Sequence, residues 1–196
     1  MHAVEQSAAL RALFATVYAE RRPGRVAILG CSTGADLQQV DDAVTQATVG
    51  VDLNPDYLVV AGQRLGPRLT APGSGIRLIL ADVLQADLPE RSFDLIHAAL
   101  LLEYVEPDAL MARVSRWLAA EGTFSVITQE PNDGLPAVSD SGYPSLRALS
   151  GHMVLRPATE VVDWAGRAGF RLVARDSVGL PSGKVLVGCC FQRARG

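Results

Sequence analysis

Apolar residues recur along the chain with two spacings. In AVEQSAALRALFATVYAERR, Leu10, Leu13, Phe14 and Val17 repeat at helical intervals, which predicts an amphipathic helix over residues 1–22. PGR ends that helix, and short apolar runs follow: Val26–Leu29, ATVGVD ending at Asp52, IRLILADV ending near Asp82, SFDLIHAAL and TFSVITQE. Each run is bounded by Gly, Pro or acidic residues and is too short for a helix, so each reads as a strand. Between them, ADLQQV predicts a short helix and NPDYLVVAGQRL a clearly marked one. Asn54 can cap it, Pro55 suits its first position, and Asp56 favours the positive end of the dipole. EPDALMARVSRWLAAEG places Leu110, Val114, Trp117 and Leu118 on one face, with Gly122 as its expected end. RPATEVVDWAGRAGF predicts a helix starting at Pro157 and stopped by Gly169.

Strands that alternate with helices imply a parallel sheet covered on both faces. The carboxyl-terminal part differs. FRLVARDSV and GKVLVGCCFQ are joined only by GLPSG. No helix fits there, so the two runs form a hairpin and one strand is antiparallel. The expected architecture is an α/β three-layer sandwich in one domain, 1–196. Residues 130–151 are rich in Pro, Ser and Gly and are expected to form a lid loop.

The 196 residues carry a net charge of only -3, of mixed sign, which argues against a partner recognised through a phosphate backbone. The closing FQRARG reads as a solvated end. Cys31, Cys189 and Cys190 offer neither a good disulfide partner nor metal-ligand spacing, so they read as thiols in a reducing cytosol. The amino end lacks the basic start, apolar core and cleavage site of a secretory signal. No apolar run reaches membrane-spanning length. The expectation is a cytoplasmic protein with a small-molecule substrate, no nucleic acid, no membrane and no metal.

Ligands of open parallel sheets bind beyond the carboxyl ends of the strands, where strand order reverses. GCSTG follows the first strand. Gly30 and Gly34 allow a tight bend and close approach of a ligand to backbone, and the exposed N–H groups beyond attract an anion. Asp52 ends the next strand, where a carboxylate can accept both hydroxyls of a ribose. Asp82 ends the third, placed to meet an adenine amine. Leu53 and Val83 follow these acids and can sandwich a purine. Each feature also has a plain structural reading: a connector turn, a cap at Asn54, a cap for VLQAD. Their joint occurrence at three successive strand ends favours a pocket for an adenosine carrying a charged group.

On VAILGCSTGADL, VGVDLNPDYL, LILADV, SFDLIHAALLLEYV, WLAAEGTFSVI and the closing hairpin, the chain resembles the class I S-adenosylmethionine-dependent methyltransferases. The resemblance covers nearly the whole chain. It implies a Rossmann-like, seven-stranded sheet of order 3-2-1-4-5-7-6 and S-adenosylmethionine as cofactor. Gly30, Cys31, Ser32 and Gly34 would then line the methionine part. Asp52 would hold the ribose, Leu53 would lie beside the adenine, and Asp82 and Val83 would meet its amine and ring. Ala98 and Ala99 would pass near the sulfonium. Two positions depart from the family pattern: Ile28 stands where an acid is usual, and Ser32 where a glycine is usual. If Ser32 has a positive φ, its side chain costs about 1–2 kcal/mol; with ordinary backbone its hydroxyl would donate to the cofactor carboxylate.

Methyl transfer from a sulfonium is a displacement at carbon, and alignment alone can supply about 7–11 kcal/mol. A base is needed only where the acceptor loses its proton early. The catalytic residue is not fixed by sequence. The candidates after the fourth strand are Glu103, to orient an amine or hydroxyl, and Tyr104; a solvated carboxylate at a helix start is the plain reading of Glu103. His97 alternates with Phe93 and Leu95 and reads as a hydrogen-bonded core residue. Tyr143 and Arg147 are candidates to cover the pocket, and His152 reads as a loop surface group. HAALLLEYV lacks the Asn/Asp-Pro-Pro-aromatic signature of base-directed amino-methyltransferases, which favours a small metabolite. Two rivals remain. A nicotinamide dehydrogenase shares the turn and an acid like Asp52, but Ser32 breaks its glycine fingerprint although Ala35 fits. No Tyr-x-x-x-Lys pair is present. The other is a non-catalytic binder on the same fold.

Overall fold

The computed structural model describes residues 2–132, 134 and 153–195. Most of the expected lid, with Tyr143, Arg147 and His152, lies outside the described residues. The chain opens with α1 (His2–Arg21), then β1 (Arg25–Leu29), β2 (Ala47–Asp52), α2 (Pro55–Leu65), α3 (Pro67–Thr70) and β3 (Ile76–Leu80). There follow β4 (Phe93–Ala99), α4 (Pro107–Trp117), β5 (Leu118–Gln129), α5 (Ala158–Arg167), β6 (Phe170–Gly179) and β7 (Val185–Arg193). The seven strands lie in the order β3-β2-β1-β4-β5-β7-β6, as the resemblance implies. β1 pairs in parallel with β2 and β4, whereas β7 runs antiparallel between β5 and β6.

Local chemistry explains the element ends. Asn54 Oδ1 accepts from Asp56 N at 2.9 Å and Tyr57 N at 3.4 Å, and Pro55 opens α2. Pro157 is the residue before α5 rather than its first turn. Two elements differ from expectation. ADLQQV folds only a 3-10 turn at Leu37–Gln39. α4 stops at Trp117, and β5 begins at once with Leu118. The register then shifts between the Phe93–Leu118 and Leu95–Thr123 pairs. Gly122 therefore does not end the helix. A Cβ there would meet Phe93 O at 2.8 Å, so the glycine is needed where β5 passes close to β4.

Strand alternation divides the core between the two sheet faces. Ala27, Leu29, Ile96 and Ala98 pack with Leu110, Met111, Val114 and Trp117 of α4 and Val161 of α5. Val26, Ile28 and Leu95 pack with Phe14, Val17 and Tyr18 of α1 and Leu65 of α2. His97 lies on the α1 side, fully buried, 4.7 Å from the Phe14 ring and with Nδ1 3.1 Å from Ser125 Oγ. It is the packed histidine read from the sequence. No described helix is long and apolar enough to cross a membrane.

The cap at α2 is separable from the rest of the fold. Asn54→Ala is expected to lower the unfolding free energy by about 1 kcal/mol, and Asn54→Gly by only a few tenths. Urea unfolding of the two variants checks this.

Candidate functional site

The apolar β1 strand delivers the chain to a turn of unusual backbone. Gly30, Ser32 and Gly34 have φ of +67°, +48° and +81°. Cys31 N donates to Val51 O at 3.0 Å, and Gly34 N to Cys31 O at 2.9 Å. Ser32 N donates to Asp52 Oδ2 at 2.7 Å. A Cβ on Gly30 would lie 3.2 Å from Leu101 Cδ1, and one on Gly34 3.0 Å from Ala61 Cβ. The turn is thus pressed between the segment after β4 and helix α2. Ser32 is exposed and in the left-handed region, so its side chain carries the cost of about 1–2 kcal/mol. Leu100, at the end of β4, has a φ of +52°. Backbone strain therefore gathers at the carboxyl ends of two neighbouring strands, a common feature of functional sites.

Asp52 joins the turn to the next strand. Oδ2 accepts from Ser32 N, and Oδ1 accepts from Asn54 N at 2.9 Å. A carboxylate has about four acceptor positions, so both oxygens retain capacity for a pair of hydroxyls. Leu53, beside it, is 70% exposed, whereas Val83 is 6% exposed and packs in the core. The open apolar surface is therefore that of Leu53. Asp82 makes the turn-capping contacts anticipated as its plain reading, Oδ1 with Leu84 N at 2.9 Å and Oδ2 with Gln85 Nε2 at 3.3 Å. Ala98 is buried and pairs with Leu29, immediately before the turn. The Cys31 thiol is pushed up to about 12, by burial first and then by Asp52 and Asp36, so it is a protonated packing group.

The end of β4 holds a second set of groups. Glu103 is not a solvated carboxylate: it is 2% exposed. Its Oε1 accepts from Gln129 N at 3.2 Å and lies 3.2 Å from Thr128 Oγ1, and among the described residues Oε2 has no hydrogen-bond partner. Burial pushes its pKa up. Tyr104 is 39% exposed. Sequence reasoning missed Asp36, whose Oδ2 lies 3.8 Å from His97 Nε2. Burial pushes Asp36 up to about 6, and burial alone pushes His97 down to about 3. Its only sequence signal is an acid two residues past the last glycine of the turn. Among the described residues, no group of three or more His, Cys, Asp or Glu side chains is arranged to hold a metal ion.

Residues 28–126 match a family model described as a methyltransferase domain. No curated protein matches the chain in sequence. Among solved structures, it is similar to 1,6-didemethyltoxoflavin-N1-methyltransferase from Burkholderia thailandensis, with bound 1,6-didemethyltoxoflavin and S-adenosylhomocysteine. The identity is 21% over 96% of this chain and 80% of that one, with a TM-score of 0.74. An S-adenosylmethionine-dependent methyltransferase from Mesorhizobium loti is 22% identical over 86% of this chain and 90% of that one, TM-score 0.67. The [4+2]-cyclase SpnF is 16% identical over 93% and 81%, TM-score 0.72.

Two predictions follow from the strained turn and the buried pair below it. Ser32→Gly relieves the strain at some entropic cost, and is expected to raise the unfolding free energy by up to about 1 kcal/mol, read as a thermal midpoint about 2–4 °C higher. His97, with a folded pKa near 3 against 6.5, makes stability fall as pH drops below about 6.5, by at most about 1.4 kcal/mol per pH unit. Asp36, near 6 against 3.8, makes stability fall as pH rises from about 4 to 6. Denaturant titrations from pH 4.5 to 7.5 should show a shallower acid-side loss in His97→Gln and a steeper one in Asp36→Asn.

Proposed function

The chain belongs to the methyltransferase-domain family, and from that premise we propose that it transfers a methyl group from S-adenosylmethionine to a small-molecule acceptor. The observation that carries the proposal is the 2.7 Å bond from Ser32 N to Asp52 Oδ2. It ties the glycine turn to the acid at the next strand end, with Leu53 open beside them. In this reading Gly30, Cys31, Ser32 and Gly34 receive the amino-acid arm. Asp52 receives the ribose hydroxyls, Leu53 a face of the adenine, Asp82 its amine and Val83 its ring. Ala98 borders the sulfonium. The residues present fit such a group: Ser32 stands exposed in the turn, and Asp52 keeps acceptor capacity after holding the backbone.

When bound, S-adenosylmethionine supplies an electrophilic methyl group already activated by its sulfonium. The task of the chain is then to bind and orient, for which about 7–11 kcal/mol is available. Glu103 serves the acceptor side as an orienting group behind the open phenol of Tyr104. The similarity to a toxoflavin N-methyltransferase supports a small-molecule acceptor. The chain acts as one catalytic domain. Free Cys31, Cys189 and Cys190 support a reducing cytoplasmic setting.

Titration calorimetry with S-adenosylmethionine, S-adenosylhomocysteine and NAD tests the proposal. Both sulfur nucleosides are expected to bind and NAD is not. Asp52→Asn should weaken S-adenosylhomocysteine by about 10-fold or more, as loss of bonds to a charged acceptor implies. Binding of NAD alone would make the protein a dehydrogenase, and binding of none would make it a non-catalytic relative. Radiolabelled methyl donor with candidate acceptors then tests turnover.

A further inference from the structure

We infer that Asp36 is the counter-ion for the ammonium group of the cofactor's amino-acid arm, with His97 as the residue that positions it. This rests on the cofactor reading above and adds to it a residue outside the glycine turn and the strand-end acids.

Asp36 is placed where a carboxylate is hard to keep. Its side chain is only 18% exposed. It stands at the N-cap position of the Leu37–Gln39 turn but makes no side-chain capping bond. Its contacts are a 3.3 Å bond from Gln39 Nε2 and the 3.8 Å approach to His97 Nε2. Arg11 of α1 is the cation that acts on it, and burial outweighs Arg11. A carboxylate withdrawn from water without a close cation is costly. The neutral imidazole cannot serve as that cation.

The imidazole can hold the carboxylate in place. His97 is fully buried, its Nδ1 meets Ser125 Oγ at 3.1 Å, and among the described residues its Nε2 has no hydrogen-bond partner. If Nδ1 accepts from the serine hydroxyl, Nε2 carries the proton, directed towards Asp36 Oδ2. An orphaned N–H and an under-paired carboxylate thus face each other across 3.8 Å. Both gain when a cation draws Asp36 into a defined position.

Strand register sets His97 beside the stretch that leads into the turn. His97 pairs with Ile28, and Ile28 packs in the apolar cluster under α1. The strand beneath the turn therefore offers no charge of its own. Asp36, two residues past Gly34, reaches the same region, with Oδ2 3.8 Å from His97 Nε2. Asp36 and Asp52 both act on the Cys31 thiol, so both acids lie near the turn. Asp52 has the geometry for a diol; Asp36 is left for an ammonium group.

The test compares two ligands on the full chain by calorimetry: S-adenosylhomocysteine, which carries the amino-acid arm, and 5′-methylthioadenosine, which lacks it. Asp36→Asn should weaken S-adenosylhomocysteine about 10-fold or more while leaving methylthioadenosine within twofold. Asp36→Ala should do the same, and His97→Gln should give a smaller loss with the same ligand selectivity. Ligand-free Asp36→Asn should be at least as stable as wild type at pH 7.5, showing an intact fold. Unchanged affinity for S-adenosylhomocysteine in both Asp36 variants, or equal losses for both ligands, overturns the inference while the cofactor reading stands. Failure of wild type to bind either ligand overturns both.

Discussion

The bond from Ser32 N–H to the Asp52 carboxylate is the constraint around which the upper edge of the sheet is organised. β1 and β2 are parallel, with Leu29 beside Val51, so the first residues past β1 lie next to the end of β2. Asp52 reaches across that short gap. The same carboxylate accepts from Asn54 N, and Asn54 in turn caps α2. One side chain therefore sets the shape of the glycine turn and the starting point of the next helix. A charged acceptor on backbone donors is about twice as strong as a neutral bond, which suits a position that must hold a turn with three positive φ angles.

The topology singles out this edge for the candidate site. From β1 the chain moves outward to β2 and β3; from β4 it moves the other way to β5. Connections therefore diverge between β1 and β4, the position where open α/β sheets take their ligands. Ser32 and Leu100, both with positive φ, stand on the two sides of that divergence. The strain is tolerated because each is anchored from below, Ser32 by Asp52 and Leu100 by its N–H to Ile127 O at 2.8 Å.

What the sequence disclosed follows from the range of the forces involved. The Asn54–Pro55 start of α2 is local, and it reads directly. The closing hairpin reads because five linking residues cannot hold a crossover helix. The strand order came through the resemblance rather than through periodicity. Gly122 misled because its reason is tertiary: it clears the Phe93 carbonyl on another strand. Ser32 left two backbone states open, since either suits an exposed serine in a turn. Glu103 looked like a surface acid because Thr128 and Gln129, which close over it, lie on β5. Asp36 was hidden by the same effect, since the imidazole beside it comes from β4 and the cover from α1.

Glu103 and Asp36 are both buried acids raised by desolvation, yet their surroundings differ. Glu103 receives a backbone N–H and lies against the Thr128 hydroxyl, so its position is fixed whether or not it is ionised. A group held in that way orients a neighbour through shape and hydrogen bonding. Asp36 has one side-chain amide, a distant imidazole and the Arg11 cation, whose effect burial outweighs. Little in the protein rewards its negative charge, so the charge becomes favourable when a cation is supplied from outside. His97 makes this arrangement tolerable in the empty protein: its own titration opposes that of Asp36 across about pH 4 to 6, and the summed dependence of stability on pH is flattened. A lone buried acid would leave the ligand-free fold sensitive to pH over that interval; the pair keeps the carboxylate available while moderating that sensitivity.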